Sequence, residues 1–193
     1  MSQKASLRPD YFDALYARDP DPWRFATSEY ERDKYAHSVA ALPRARYASG
    51  LEVGCSIGVL TRALAARCDR LLAVDVAEAA LDQARARNAD LAHVVHRRLR
   101  LPDEAVPGTY DLVVLSEVLY YFDAADLAQV ADRVRAAARP GADLLLVHWL
   151  PRTDYPLTGD EAAEGFIRHL GGAAEVLAGE RRERYRLDLL RLA

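Results

Sequence analysis

The sequence is poor in the residues that mark disulfide-rich and metal-binding proteins. It has two cysteines, Cys55 and Cys68, and one methionine in 193 residues. The two cysteines form no disulfide framework and lack the spacing of metal ligands. We therefore expect two reduced, packed thiols. The histidines and carboxylates form no cluster with them either, so no metal site is predicted.

An excess of one charge and a long apolar run are also missing. The net charge is −3, and the sequence has no signal peptide and no span of about 18 apolar residues. These absences argue against nucleic acid or a membrane surface as a partner, and they predict a cytoplasmic protein. Apolar residues make up 51% of the chain, which suits one domain with a full core.

A glycine-containing turn after the first apolar strand is the strongest local signal. The strand ends at Val53, and a helix begins near Gly58. The small residues between them let a ligand approach the backbone beside a helix N-terminus. A dinucleotide fingerprint needs glycine at the places that Gly54, Ser56 and Val59 occupy, and two of the three fail. A purely structural turn is the alternative.

A second apolar strand, residues 70–75, ends in a carboxylate. This residue, Asp75, follows Gly54 by 21 positions. Doubly wound folds place an acidic residue there to accept the hydroxyl groups of a bound ribose. A cap on the helix that begins at Ala77 is an alternative compatible with that role.

These motifs carry a resemblance to a known superfamily. Glu52, Gly54, Ser56 and Gly58 resemble the first motif of class I S-adenosylmethionine (SAM) dependent methyltransferases, with Ser56 in place of the usual middle glycine. Residues 110–121 resemble the fourth-strand motif of the same enzymes. The resemblance implies SAM as cofactor and an α/β, Rossmann-like, doubly wound sheet of seven strands. Its last strand is expected to be antiparallel, with helices on both faces.

The N-terminal segment 10–42 is unusually aromatic for a region outside the sheet. Its pattern predicts two helices, the second beginning at a capping box of Ser28 and Glu31. The segment is expected to be a fixed helical layer or a lid over the ligand, and the two are compatible. We predict one methyltransferase domain, residues 1–193, with this helical lid and a Rossmann-like core over 47–193.

Short motifs in the same segment sharpen the resemblance. They are Asp21-Pro22-Trp23, Ser28-x-Tyr30-Glu31 and Lys34-Tyr35. With the two strand motifs they look like the nodulation protein S family, SAM-dependent N-methyltransferases that modify the free amine of a chitooligosaccharide. The resemblance covers roughly residues 11–150. It implies methyl transfer to a small-molecule acceptor, with the amine of a sugar or aminosugar as one candidate.

The resemblance and the motif positions together imply a set of cofactor-binding residues. They are Trp23, Tyr30, Glu52, Gly54, Cys55, Ser56, Gly58, Asp75, Val76, Leu99, Ser116 and Glu117. Many class I methyltransferases have an aspartate near the end of the third strand for the adenine amino group. This chain has Arg97, Arg98, Leu99 and Arg100 there, so we expect backbone groups around Leu99 to read the adenine edge.

Methyl transfer asks the protein mainly to align the reactants and exclude water. The candidate catalytic residues are Glu117, Tyr120 and His148. The first two follow the predicted fourth strand and His148 lies at the end of the fifth, at the edge where open sheets bind ligands. Glu117 is expected to accept a proton or to bind an acceptor amine or hydroxyl, and Tyr120 to face the sulfonium. The alternatives are a brace for Glu117 and a packed strand-end residue for His148.

Two other functions stay open at this point. One is an NAD-dependent or nucleotide-sugar oxidoreductase, which the glycine spacing disfavours. The other is a catalytically silent SAM-binding module, which a turnover assay would separate from an enzyme.

Overall fold

The computed structural model describes residues 4–193, and the chain divides into two compact units. The first unit comprises residues 8–100. The second comprises residues 101–193 together with residues 4–7.

The first unit alternates helices with parallel strands. Its elements are α1 (Pro9–Arg18), α2 (Glu29–Ala40), β1 (Gly50–Val53), α3 (Val59–Ala65), β2 (Leu71–Asp75), α4 (Glu78–Arg87) and β3 (Val94–Arg98). Strand β2 pairs in parallel with both β1 and β3. Helix α4 buries Ala80, Leu81 and Ala84 completely. Small residues at this helical spacing let the helix lie close to its neighbours.

The second unit has a longer, mixed arrangement. Its elements are β4 (Tyr110–Ser116), a 3₁₀ turn (Leu119–Tyr121), α5 (Ala124–Ala137), β5 (Ala138–Trp149), α6 (Gly159–Leu170), a second 3₁₀ turn (Gly171–Ala173), β6 (Ala174–Arg181) and β7 (Tyr185–Leu192). Strand β5 pairs in parallel with β4, and β7 is antiparallel to both β5 and β6. Residues 112–115 and 144–147 are buried without interruption, as expected for strands covered on both faces.

The seven strands form one sheet in the order β3-β2-β1-β4-β5-β7-β6. The antiparallel β7, inserted between β5 and β6, confirms the predicted Rossmann-like fold class. Across residues 4–193, no helix combines the length and apolar character needed to cross a membrane.

Two residues that commonly end a helix, Pro140 and Gly141, lie inside a strand. They follow α5 closely, but β5 already begins at Ala138. Ala138 pairs with Tyr110, whereas Asp143 pairs with Leu112, so the intervening residues bulge out of the ladder. Proline tolerates extended backbone, and Gly141 supplies a φ of 74°.

The capping box predicted for α2 is half formed. Ser28 Oγ accepts a hydrogen bond from Glu31 N at 3.3 Å. The Glu31 carboxylate lies 2.9 Å from the Lys34 ammonium, and both side chains are buried. Because an unpaired buried charge is costly, pairing with Lys34 competes with the N-cap. The cap of α6, by contrast, is a complete box formed by Thr158 and Glu161.

Candidate active site

The turn between β1 and α3 has the backbone expected of a ligand-binding loop. Gly54, Ser56 and Gly58 have positive φ values of 78°, 49° and 76°. The amides of Gly54 and Cys55 donate to the Val74 carbonyl at 2.8 and 3.0 Å. The turn is therefore fastened to β2.

Gly58 is required by close packing against α4. A Cβ atom at this position would lie 2.5 Å from Asn88 Nδ2 and 2.9 Å from Ala84 Cα. Asn88 Nδ2 donates to the carbonyls of Gly58 and Ala84, at 3.1 and 3.0 Å. Asn88 thus joins α4 to the start of α3, and only glycine leaves room for it.

Asp75 connects the end of β2 to the glycine turn. Its Oδ2 accepts a hydrogen bond from Ser56 N at 2.8 Å, and its Oδ1 accepts one from Ala77 N at 3.0 Å. Burial raises the pKa of Asp75, and these amide hydrogen bonds act in the opposite direction. A carboxylate offers about four acceptor positions, so this bracing role leaves room for ribose hydroxyl groups.

The hydroxyl group of Ser56 shares a hydrogen bond with the hydroxyl group of Tyr16 on α1. Tyr16 belongs to a buried cluster with Ile57, against which Trp23 packs. The Tyr16 and Trp23 rings meet edge to face, with centroids 5.9 Å apart. Burial first, and then Asp75, raises the pKa of Tyr16, so the phenol stays neutral. The serine that replaces the usual glycine thus joins α1 to the turn.

Tyr30, the other aromatic residue expected at the cofactor, lies beside Lys34 of α2. The Lys34 ammonium is 5.4 Å from the centroid of the Tyr30 ring and 5.7 Å from that of Tyr35. The structure thus places Trp23 against the residues of the glycine turn, and Tyr30 beside the buried ammonium group of Lys34.

Glu52 is a buried acid one residue before the end of β1. The residue is only 1% exposed, and its Oε2 has no hydrogen-bond partner within residues 4–193. Burial raises the pKa of Glu52 to about 8, with Asp75 adding to the rise and the nearby Thr61 hydroxyl opposing it. An unpaired buried polar atom beside a glycine turn is a feature expected where a polar organic ligand binds.

Leu99 and Val76 lie where β3 and β2 end. Leu99 N donates to the Asp75 carbonyl at 3.0 Å, and Arg98 Nε donates to the Val76 carbonyl at 2.9 Å. The predicted adenine contact near Leu99 would therefore have to use backbone groups other than this amide.

Both cysteines are buried, Cys55 at 4% and Cys68 at 0% exposure. In the part of the chain that the structure describes, no three His, Cys, Asp or Glu side chains are grouped to hold a metal ion.

A second group of candidate residues lies at the carboxyl ends of β4 and β5. Ser116 ends β4, and Glu117 follows it with a φ of 56°, an unusual value for a residue with a side chain. Glu117 Oε2 accepts hydrogen bonds from Tyr120 Oη at 2.7 Å and from Trp149 N at 2.8 Å. The carboxylate is thereby held between the 3₁₀ turn and the end of β5.

Three aromatic rings, which we call the tyrosine cluster, pack beside this carboxylate: Tyr120, Tyr121 and Tyr155. Tyr155 stacks on Tyr120 with centroids 5.2 Å apart and planes at 13°, and it meets Tyr121 edge-on at 4.7 Å. Burial is the main cause that raises the pKa of Tyr120 and of Tyr121, so both phenols remain donors. Sequence reasoning missed Tyr155, although an aromatic residue just beyond the carboxyl end of a strand was an available signal.

His148 is fully buried within β5. Its Nε2 accepts a hydrogen bond from Leu119 N at 3.3 Å, and its ring meets Tyr120 edge-on at 5.6 Å. Because this nitrogen lone pair is engaged by an amide, the geometry favours the packed strand-end role over that of a base.

Comparison with known families places the chain. The family model of nodulation protein S (NodS) matches residues 11–147, well over half of the 193 residues. The chain belongs to the nodulation protein S family. This confirms the family resemblance that the N-terminal and strand motifs carry.

The similarity to individual family members is partial. Nodulation protein S of Bradyrhizobium diazoefficiens is 38% identical over 102 residues, which are 52% of this chain and 49% of that protein. The nodulation protein S of Rhizobium tropici is 33% identical over 127 residues, 65% of this chain and 53% of that protein. The chain thus spans about half the length of these relatives.

Solved structures match the fold over more of the chain. N-methyltransferase NodS from Bradyrhizobium japonicum WM9, in complex with S-adenosyl-l-homocysteine (SAH), is 25% identical with a TM-score of 0.83, covering 95% of this chain and 97% of that one. A Pseudomonas syringae protein assigned as a methyltransferase is 37% identical with a TM-score of 0.76, covering 85% and 99%. Membership of the NodS family therefore goes with a class I methyltransferase fold.

Proposed function

We propose that this chain is a SAM-dependent methyltransferase that acts on a small-molecule acceptor. One observation carries the proposal: the Ser56 amide, on a turn with three positive φ values, donates a hydrogen bond of 2.8 Å to the Asp75 carboxylate at the end of β2. Such a loop offers a carboxylate for ribose hydroxyls beside a backbone that a ligand can approach. The NodS relative solved with SAH supports SAM as the ligand.

The residues of the first unit fit a nucleoside with a charged tail. When bound, SAM supplies an activated methyl group on a sulfonium. In the proposal Asp75 accepts the ribose hydroxyls, and Gly54 and Gly58 leave space along the turn. Glu52 has a pKa of about 8, so at neutral pH it carries a proton and offers an O–H donor. Trp23 and Tyr16 of the lid segment exclude water.

We further propose that the acceptor is an amine held by Glu117. The nitrogen lone pair attacks the methyl carbon, the carbon–sulfur bond breaks with its electron pair going to sulfur, and the new ammonium loses a proton to Glu117 or to water. The carboxylate is held at Oε2 by Tyr120 and Trp149. A carboxylate has about four acceptor positions, so one group can accept from several donors, an incoming amine among them. His148 supports the turn rather than the reaction.

An amine carried by a sugar is the acceptor class that we propose first. A carboxylate attracts the cationic form of an amine, and phenol hydroxyls can bond the neighbouring sugar hydroxyl groups. The name of the NodS relative, an N-methyltransferase, points to nitrogen rather than oxygen.

The cofactor assignment predicts the outcome of titration calorimetry. SAM and SAH should bind the wild-type chain, and NAD should not. Asp75→Ala should weaken SAM binding by about 1–3 kcal/mol, because charge-assisted hydrogen bonds to the ribose are lost. Asp82→Ala, which removes an exposed carboxylate on α4, is the control and should bind as the wild type does. Binding of NAD without SAM would refute the assignment.

The acceptor assignment predicts the outcome of a turnover assay. Glucosamine and its β-1,4-linked tetrasaccharide are the amine acceptors, and N-acetylglucosamine, whose amide nitrogen is not nucleophilic, is the hydroxyl acceptor. Methylation of the amines should rise with pH as they lose their protons. Glu117→Gln should lower turnover at least tenfold, an order-of-magnitude expectation for a proton acceptor, while SAM affinity stays nearly unchanged.

Glu175→Gln is the matched control, since it removes an exposed carboxylate on β6 and should not change the rate. Full activity of Glu117→Gln, or methylation of N-acetylglucosamine alone, would remove the amine acceptor. SAH binding without turnover of any acceptor would instead favour a silent SAM-binding module.

A further inference from the structure

Tyr155 contacts Tyr120, the residue whose hydroxyl group is bonded to the Glu117 carboxylate of the proposed reaction. It lies in the loop between β5 and α6, and it stacks on Tyr120 at 5.2 Å. The Tyr120 hydroxyl group in turn donates a hydrogen bond to Glu117 Oε2 at 2.7 Å. Tyr155 therefore packs against the face of the ring whose hydroxyl group is bonded to Glu117.

The loop that carries Tyr155, residues 150–158, is fastened from two sides. Leu157 N donates to the Tyr120 carbonyl at 3.2 Å, which ties the loop to the 3₁₀ turn. On the other side, Lys4 Nζ donates to the Asp154 carbonyl at 3.0 Å and forms an ion pair with the Asp154 carboxylate. The loop and the turn are thus coupled through both backbone and side chains.

Residues 4–7, which we call the strap, also contact the 3₁₀ turn and the start of α5. Leu7 N donates to the Tyr121 carbonyl at 2.8 Å. Ser6 Oγ accepts from Asp123 N at 2.9 Å and donates to the Asp126 carboxylate at 2.5 Å. The strap therefore holds both segments that bear the tyrosine cluster, although the chain that follows it belongs to the first unit.

We infer that the strap and Tyr155 are positioning elements of the acceptor site: they fix Tyr120 and, through it, Glu117, so they control use of the acceptor and not binding of SAM. This inference rests on the proposed amine acceptor at Glu117. Neither the strap nor Tyr155 touches the reacting atoms; their effect passes through the stacked ring and the phenol hydrogen bond. Stacking of two aromatic rings stabilises the orientation in which they meet, so Tyr155 favours one orientation of the Tyr120 ring over the others.

The test compares variants of the full chain with the amine that the wild type methylates fastest. Tyr155→Ala should raise the acceptor KM about tenfold, because Tyr120 loses its stacking partner, while the dissociation constant of SAM changes less than about twofold. Tyr155→Phe keeps the ring and should restore most of the wild-type KM. The double variant Lys4→Ala/Ser6→Ala should raise the acceptor KM about threefold, in line with the small effect of exposed ion pairs and single hydrogen bonds.

Arg135→Ala is the matched control, because it breaks an exposed ion pair with Asp132 on the same unit and should leave KM unchanged. Hydrogen exchange of residues 150–158 supplies a readout independent of activity, and it should quicken in the strap variant. If the wild type is active and the acceptor KM is unchanged in both Tyr155→Ala and the strap variant, the positioning role is overturned and the proposed acceptor is not. A wild type that binds SAH but methylates no amine would instead overturn the proposed acceptor, and the positioning role with it.

Discussion

At the scale of single residues, Glu52 is a side chain whose protonation state depends on the fold. The carboxyl group is buried at the end of β1, beside the glycine turn. Its pKa rises from an ordinary value of 4.5 to about 8, mainly because burial penalises the charged form. The folded chain therefore keeps Glu52 protonated over a pH range in which the unfolded chain ionises it.

This difference predicts a pH-dependent stability. Between about pH 4.5 and 8 the unfolded state binds fewer protons at Glu52, so the free energy of unfolding falls as pH rises. Glu52→Gln keeps the shape of the side chain and cannot ionise. In this range its free energy of unfolding should therefore rise relative to that of the wild type by up to about 1.4 kcal/mol per pH unit. Above about pH 8 both states are ionised and the gap should stop widening.

Urea unfolding of the wild type and the variant from pH 5 to pH 9 measures the gap. Glu175→Gln, on the exposed face of β6, should run parallel to the wild type throughout. A stability gap for Glu52→Gln that is constant across the pH range would contradict the raised pKa.

At the scale of elements, the contact between α3 and α4 depends on one missing Cβ atom. Gly58 combines a φ of 76° with neighbours on α4 that leave no space for a side chain. Two other glycines separate these causes. Gly141 has a φ of 74° in open space, and Gly172 lies in open space without a positive φ.

We therefore expect three different results from substitution by alanine. Gly58→Ala should lower the free energy of unfolding by about 2–4 kcal/mol, through backbone strain and overpacking together. Gly141→Ala should lose only about 1–2 kcal/mol from strain, and Gly172→Ala should change stability by less than about 0.5 kcal/mol. Denaturant unfolding of the three variants provides the comparison. Equal losses in Gly58→Ala and Gly141→Ala would show that the contact with α4 is looser than the structure indicates.

The alternation of strands and helices was predictable from the sequence because short apolar runs mark the buried strands and apolar residues at helical spacing mark the helices between them. The start of β5 was not, since Pro140 and Gly141 stop a helix as readily as they form a strand bulge. The pairing of Tyr120 with Tyr155 depends on tertiary contact between distant segments, which no period encodes. The Ser56 hydrogen bond to Tyr16 was hidden for the same reason. Glycine spacing and the final carboxylate of β2, by contrast, placed the turn and Asp75 correctly at adjoining strand ends.

At the scale of the whole molecule, the N-terminal helices are attached to their unit with different strength. The end of α2 and the loop after it are held by Arg67, whose guanidinium donates to the carbonyls of Val39 at 2.9 Å and Ala45 at 2.9 Å, and also to those of Leu42 and Arg44. Helix α1 is joined to the glycine turn by the side-chain hydrogen bond between Tyr16 and Ser56. Of the predicted lid, residues 10–42, we therefore expect the α1 part to be less firmly held than α2.

A lid that orders on ligand binding should show this asymmetry. Addition of SAH should slow hydrogen exchange in residues 10–27 more than in residues 29–40. Ser56→Gly removes the hydrogen bond to Tyr16 and should speed exchange of α1 without ligand, while α2 stays unchanged. Equal protection of both segments with and without SAH would favour a fixed helical layer.

Because both native thiols are buried, a single dye on α1 can test whether this part of the predicted lid opens. Cys55 and Cys68 are the two cysteines of the sequence, and at 4% and 0% exposure neither meets a bulky maleimide readily. Tyr11 on α1 is 41% exposed, so Tyr11→Cys introduces a thiol that reacts first. A dye attached there would report an opening of α1 in real time, with the native sulfurs left in place.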